Sequence, residues 1–192
     1  MVGIKLSNNG PIFYKSLRVG KDGNLFTMYK FRTMTVGTPN VATEELKDSV
    51  SYITRFGKVL RKTSLDELPQ LINIFKGDMA FIGPRPALYN QYNLKKLRTK
   101  AGVHRLLPGL TGWAQVNGRD MLSDAVKTSY DKYYLEHRSI TFDLKILVRT
   151  VFKVLRCEGI IEGGRKVNIK NKDIEYEYEE VKPKVEEVCV KF

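Results

Sequence analysis

The longest apolar stretch of the chain, Phe142 to Cys157, is interrupted by four cations, Lys145, Arg149, Lys153 and Arg156. Their spacings of 4, 4 and 3 put them on one side of a helix, with Leu144, Leu147, Val148, Val151 and Leu155 on an apolar face. No run of 18 apolar residues occurs anywhere, so no segment reads as a membrane-spanning helix. A chain built this way has to bury the faces of short amphipathic elements against one another. For this helix the commoner arrangement is core on one side and water on the other. The alternative is a basic amphipathic helix lying on an anionic membrane.

At 192 residues the sequence suits one domain with its own core. Ile12 to Val19 and Leu25 to Thr33 are β-rich runs, and the GKDGN between them supplies the positive φ of a hairpin turn. Helices are expected over Tyr52 to Arg61, Ser64 to Phe75, Ala87 to Lys100, 124–137 and 142–157, with Ser123 and Thr141 as N-caps of the last two. Met79 to Ile82 reads as a short extended segment. Pro39 to Asp48 reads as a polar loop with a helical turn, and Pro108 to Asp120, punctuated by Gly109, Gly112 and Gly118, as a loop. The expected fold is α+β: a mainly helical single domain with a small N-terminal β-hairpin and a basic cleft.

The net charge is +12, with a pI near 9.6. Residues 161–192 hold seven Lys+Arg and eight Asp+Glu, so the first 160 residues carry +13 (26 minus 13). The division expected is a body, 1–160, and a loosely attached charged tail, 161–192. A basic body points to an anionic partner: nucleic acid, an acidic membrane surface or phosphorylated substrates. Cys157 and Cys189, with His104 and His137, show no metal-ligand spacing and no disulfide framework.

Against this basic background stand the adjacent acids Asp66 and Glu67, in TSLDELPQLINIFKGDMAFIGPRP. Ser64 and Glu67 fit a capping box. Pro69 conflicts with a helix that starts just after Ser64, but suits one that starts at Pro69 itself. In either case Asp66 lies at a helix start, which lowers a carboxylate's pKa and favours phosphate. An ionised Asp66 is suited to act as a nucleophile, and the pair is suited to Mg²⁺. Lys30, Arg32, Arg61, Lys62, Arg85 and Arg119 lie in or beside turn segments. Lys30 and Arg32 alternate along one strand and share a face. Prolines on both sides of Arg85 preorganise its guanidinium for phosphate.

Four segments, GPIFYKSLRVGKDGNLFTMYKFRTM, LRKTSLDELPQLINIFKGDMAFIGPRP, PGLTGWAQVNGRD and YDKYYLEHRSITFDLKILVRT, occur in that order. Together they resemble the bacterial sugar transferase family, the monotopic phosphoglycosyl transferases that start polysaccharide and glycoconjugate assembly, over residues 4 to 160. The resemblance implies transfer of a sugar-1-phosphate from a nucleotide diphosphate sugar, usually a UDP-sugar, to a polyprenyl phosphate at the cytoplasmic face of the cell membrane, with Mg²⁺. It implies that Asp66 is the nucleophile and that Glu67 holds Mg²⁺ or assists proton transfer, the metal lying between Glu67 and Asp66. Arg61 and Arg85 match phosphate-binding positions and Arg119 matches a later motif; Lys30 and Arg32 join them as phosphate-binding candidates through their shared strand face. Asp131 and Asp143 match as supporting residues.

Two departures stand out. Family members usually carry an N-terminal re-entrant hydrophobic helix of about 20 residues, and here MVGIKL resembles its last turn. Where the family often has Gln-Glu-Arg in the first strand, this chain has Ser16, Leu17 and Arg18. Attachment to an anionic membrane through the basic body is accordingly expected to be weak and salt-dependent. The rival readings are a catalytically silent fragment of such an enzyme and a basic nucleic-acid-binding protein. The second lacks any zinc-finger or RRM signature and leaves SLDELP unexplained, so no nucleic acid is expected.

Overall fold

The computed structural model describes residues 2–7, 10–39, 49–118 and 122–156. The expected loop at 40–48, Arg119, Cys157 and the 161–192 tail lie outside the described residues. The chain opens with helix α1 (Val2–Ser7), followed by the hairpin of β1 (Phe13–Val19) and β2 (Leu25–Phe31). The strands pair antiparallel from Phe13↔Phe31 to Val19↔Leu25, and the turn takes positive φ at Asp22 (55°) and Gly23 (81°), as its composition demands. Phe13 and Phe31 stack across the strands at 5.6 Å.

Helices α2 (Ser49–Tyr52) and α3 (Arg55–Lys62) follow, the second capped by Thr54, whose hydroxyl accepts from the Gly57 N–H at 3.0 Å. The single helix expected over Ser64 to Phe75 is broken. Ser64 is left-handed (φ 56°), Leu65–Glu67 is one 3₁₀ turn, and α4 spans only Gln70–Phe75, with Pro69 at its entry. Pro69 lacks the N–H that would continue the ladder to the Leu65 carbonyl, so the chain tightens instead. The capping box does not form. Glu67 N–H bonds the Ser64 backbone carbonyl at 3.2 Å, and the Ser64 side chain makes no cap bond.

Strand β3 (Ala80–Ile82) pairs in parallel with β4 (Gly109–Thr111), with α5 (Tyr92–Lys100) on the connection between them. Helix α5 starts later than the expected Ala87. The preceding segment first runs beside β1, where Val19 N–H bonds the Ala87 carbonyl and Arg18 bridges Leu88. The loop expected over 108–120 holds β4 and helix α6 (Trp113–Asn117). Its glycines serve close packing rather than turns: a Cβ on Gly109 would sit 2.1 Å from the Gly83 nitrogen.

Helix α7 (Asp124–Glu136) is capped by Ser123 as expected, but α8 (Ile140–Leu155) is capped by Ser139 rather than Thr141. The core gathers Leu106, Val116, Tyr134 and Ile146. Helix α8 does not pack its expected apolar face on the core. Its only fully buried apolar side chain among the described residues is Ile146, while Leu144, Val148, Val151 and Leu155 are 54–74% exposed. Lys145 and Arg149, themselves exposed, lie over the Trp113 ring at 5.8 and 4.9 Å, while Phe142 packs edge-on against the same ring at 4.9 Å.

Candidate active site

The site is assembled on the 3₁₀ turn after Ser64. Three residues per turn make positions i and i+3 eclipse, so Leu65 and Leu68 share the exposed side (44% and 48%) while Asp66 and Glu67 turn inward (8% each). Asn73, fully buried on α4, docks this segment on the hairpin. Its amide donates to the Thr27 carbonyl at 2.8 Å and its oxygen accepts from the Tyr29 N–H at 3.1 Å. That registration delivers the next residue, Lys30, to the acids: its ammonium donates to Glu67 Oε1 at 2.8 Å. Arg85 reaches the same oxygen with both terminal nitrogens at 3.3 Å.

Asp66 is different. Among the described residues no side chain hydrogen-bonds its carboxylate; it lies instead in the field of Lys30, Arg61 and Arg85. Burial raises its pKa and Glu67 adds to the rise, while Lys30, Arg61 and Arg85 pull it down; the net direction is upward. A helix start alone would have lowered it, so desolvation overrides the sequence expectation. Burial likewise lowers the pKa of Lys30, against the pull of Glu67.

The GPRP loop carrying Arg85 is held by its carbonyls. Pro84 accepts from Gly109 N–H at 2.9 Å, Arg85 from Arg98 at 2.8 Å, Pro86 from Arg18 at 3.2 Å and Ala87 from Val19 N–H at 2.9 Å. Arg98 is itself fixed by Asp131, 1% exposed, whose Oδ2 accepts from Nε and Nη2 at 2.9 and 2.6 Å. Burial raises the Asp131 pKa and Arg98 opposes the rise. Asp131 therefore acts on the site through Arg98 and the Arg85 backbone.

The other sequence candidates divide. Arg61 sits beside the pair, donating to Thr33 Oγ1 at 3.0 Å and to Met34 Sδ at 3.4 Å. Arg32 falls one residue past β2, donates to the Pro11 carbonyl at 2.9 Å and lies over Tyr14, so it is not brought to the acids. Asp143 accepts from the Tyr134 hydroxyl at 2.9 Å, away from the pair; burial and that bond push Tyr134 up to about 12. Arg119 lies outside the described residues. Asn73 and Arg98 escaped the sequence reading. A polar residue inside an apolar helical run was the one available signal for Asn73, and nothing in the local pattern marks Arg98.

A slot of about 220 Å³ opens beside Glu67 and Arg85, walled by β3, β4, α6 and α8. Gln115, 7% exposed, lines it, and both its amide nitrogen and its amide oxygen lack a partner among the described residues.

The bacterial sugar transferase family model matches residues 1–157. The chain belongs to that family. It is 43% identical over 160 residues to the uncharacterized sugar transferase EpsL of Bacillus subtilis (strain 168), covering 82% of this chain and 76% of that protein. It is 40% identical over 162 residues to UDP-glucose:undecaprenyl-phosphate glucose-1-phosphate transferase of Xanthomonas campestris pv. campestris, covering 80% of this chain and 34% of that protein. It is 36% identical over 162 residues to UDP-N-acetylgalactosamine-undecaprenyl-phosphate N-acetylgalactosaminephosphotransferase of Aeromonas hydrophila, covering 81% of this chain and 38% of that protein. The family chain thus spans little more than a third of the last two. Among the described residues no helix is long and apolar enough to cross a membrane.

Proposed function

We propose that the chain transfers a sugar-1-phosphate from a nucleotide diphosphate sugar, a UDP-sugar by analogy with its relatives, to a polyprenyl phosphate, starting polysaccharide or glycoconjugate assembly. The observation that carries this reading is the Asp66 carboxylate: buried, with no hydrogen bond among the described residues, and facing three cations. A carboxylate without hydrogen bonds keeps its lone pairs for a substrate atom, and the surrounding cations favour its ionised form and a phosphoryl group equally.

In this reading a carboxylate oxygen of Asp66 attacks the phosphorus that bears the sugar. The bond from that phosphorus to the bridging oxygen breaks, and the nucleoside monophosphate leaves with the electron pair. An oxygen of the polyprenyl phosphate then attacks the same phosphorus and frees Asp66. Glu67, tied to Lys30 and Arg85, orients both cations toward the transferred group. Phosphoryl transfer rests on such positioning and charge neutralisation.

The donor set also fits Mg²⁺. Among the described residues no cluster of three or more His, Cys, Asp or Glu is gathered, and Mg²⁺ needs only one or two carboxylates plus substrate phosphates. Asp66 and Glu67 would hold the ion, which would neutralise charge on the diphosphate.

A polyprenyl acceptor puts the site at a membrane, and a nucleotide-sugar donor puts it on the cytoplasmic face. The exposed apolar face of α8 supports contact with the bilayer. The test is intact-protein mass spectrometry after incubation with UDP-glucose, UDP-galactose and UDP-N-acetylgalactosamine. One donor should add one phosphosugar to the wild type and none to Asp66→Asn. Equal UMP release by wild type and Asp66→Asn would refute the covalent step.

A further inference from the structure

The slot beside Glu67 and Arg85 is not needed to hold a nucleotide's charge, because its walls are largely apolar. Leu68, Phe81, Leu147 and Val154 line it, and the two hydroxyls in its wall, Thr111 and Thr150, satisfy each other at 2.7 Å. The lining also carries Glu67, Ser64, Gln115, Lys153 and Arg85, the last paired with Glu67. Gln115 is nine-tenths buried, with an amide that no described residue satisfies. A buried unpaired amide is costly to the folded state, and a ligand oxygen accepting from its N–H would recover part of that cost.

The slot is also continuous with the outer surface of α8. Leu147 belongs to both: it lines the slot and is 38% exposed, beside Leu144, Val148 and Val151 on the face that turns away from the body. Its volume, about 220 Å³, falls below the roughly 300–1,000 Å³ of sites that enclose a whole drug-sized ligand. Such dimensions suit one segment of a longer chain that continues outside.

We propose that this slot is the entry port of the acceptor, a phosphate monoester on an isoprenoid chain. Its first isoprene units lie between Leu68, Phe81, Leu147 and Val154, and its phosphate meets Arg85, Lys153 and the Gln115 amide N–H. The remainder of the chain leaves past Leu147 into the bilayer. The proposal rests on the transfer reaction proposed above and assigns the place where its second substrate enters. It also explains why α8 turns apolar residues outward: the same helix forms one wall of the port and the surface through which the lipid arrives.

The test has two arms. In the first, protein in phosphatidylcholine vesicles is irradiated with a diazirine-bearing prenyl phosphate and the labelled peptides are mapped. Label should fall on the segments around Phe81 and 147–154, be displaced by undecaprenyl phosphate, and be at least tenfold less sensitive to phosphatidylglycerol. Label elsewhere, or equal displacement by phosphatidylglycerol, would overturn the proposal. In the second arm, Leu147→Trp narrows the port at a partly exposed position that tolerates volume, and Gln115→Leu removes the amide. With donor and acceptor both present, each variant should accumulate the covalent adduct that the wild type discharges, with the acceptor KM raised about tenfold or more. Discharge at the wild-type rate by both variants would overturn the port. If the wild type forms no adduct with any donor, the transfer mechanism fails, while the labelling pattern still decides the port.

Discussion

Replacing Asp131 with alanine strands the Arg98 guanidinium, 8% exposed, between α5 and α7 with its principal counter-charge gone. Removing one partner of a buried ion pair costs about 3–5 kcal/mol, whereas exchanging both partners for apolar residues is often neutral or stabilising. At roughly 2–4 °C per kcal/mol for a chain of this size, Asp131→Ala should lower Tm by about 6–20 °C. Asp131→Leu combined with Arg98→Met should recover most of that loss. It should not recover turnover, because Arg98 also donates to the Arg85 carbonyl at 2.8 Å, and that bond is absent from the double variant. Misplacing a catalytic group by an ångström can cost about 10²-fold, so a well-folded but slow enzyme is expected. Thermal unfolding by circular dichroism and UMP release from the cognate UDP-sugar read the two effects separately. Equal Tm for the single and double variants would refute the stranded-charge account. Wild-type turnover by the double variant would refute the role of Arg98 in holding Arg85.

Asp66→Asn should lose turnover and gain stability. Burial raises the Asp66 pKa, so the folded state holds the proton more tightly and stability falls as pH rises through the carboxylate range; the Tm advantage of the variant should be larger at pH 7 than at pH 4, and an advantage independent of pH would count against it. Glu67→Gln keeps the shape but weakens contacts to Lys30 and Arg85, so Tm and UMP release should both fall, the former by roughly 1–3 kcal/mol equivalent; unchanged Tm would show that these ion pairs do not stabilise the fold. Vesicle flotation should persist at high salt, because the exposed face of α8 supplies apolar contact beyond the charge attraction, and Val148→Glu with Val151→Glu should abolish that residue of binding; complete loss of wild-type binding in salt would leave electrostatics as the sole attachment.

The hairpin and the Ser123 cap were legible because each rests on contacts within a few residues. So was the motif segment, since its acids, proline and arginine sit close together in sequence. Two failures were local, the break at Ser64 and Pro69 and the Ser139 cap of α8; the others depended on a distant partner. The apolar face of α8 can be read from its spacing, but the side that meets the body is Ile146 and Phe142, packed on Leu106, Val116, Tyr134 and Trp113 from earlier in the chain. The left-handed turn at Ser64 hides behind a plausible capping box. Gly109 reads as a turn residue until Gly83 is laid against it. Arg98 looks like one more cation on a basic helix, and only the approach of α7 reveals Asp131 opposite.

The four carbonyls from Pro84 to Ala87 take their donors from β4, α5 and the end of β1. Two of the four residues are prolines and have no N–H of their own, so the loop cannot brace itself with a local ladder. Its conformation exists only as the meeting point of elements that lie far apart along the chain. Arg85 is therefore assembled late and lost early: loosening the hairpin, α5 or β4 alone would let it drift from Glu67 before the rest of the protein had melted. Phosphate-handling competence becomes a coincidence signal for complete tertiary structure. On the transfer mechanism proposed above, a partly folded chain would hold Asp66 without the cation that aligns the phosphoryl group, and would stay silent toward nucleotide sugars until folding was finished.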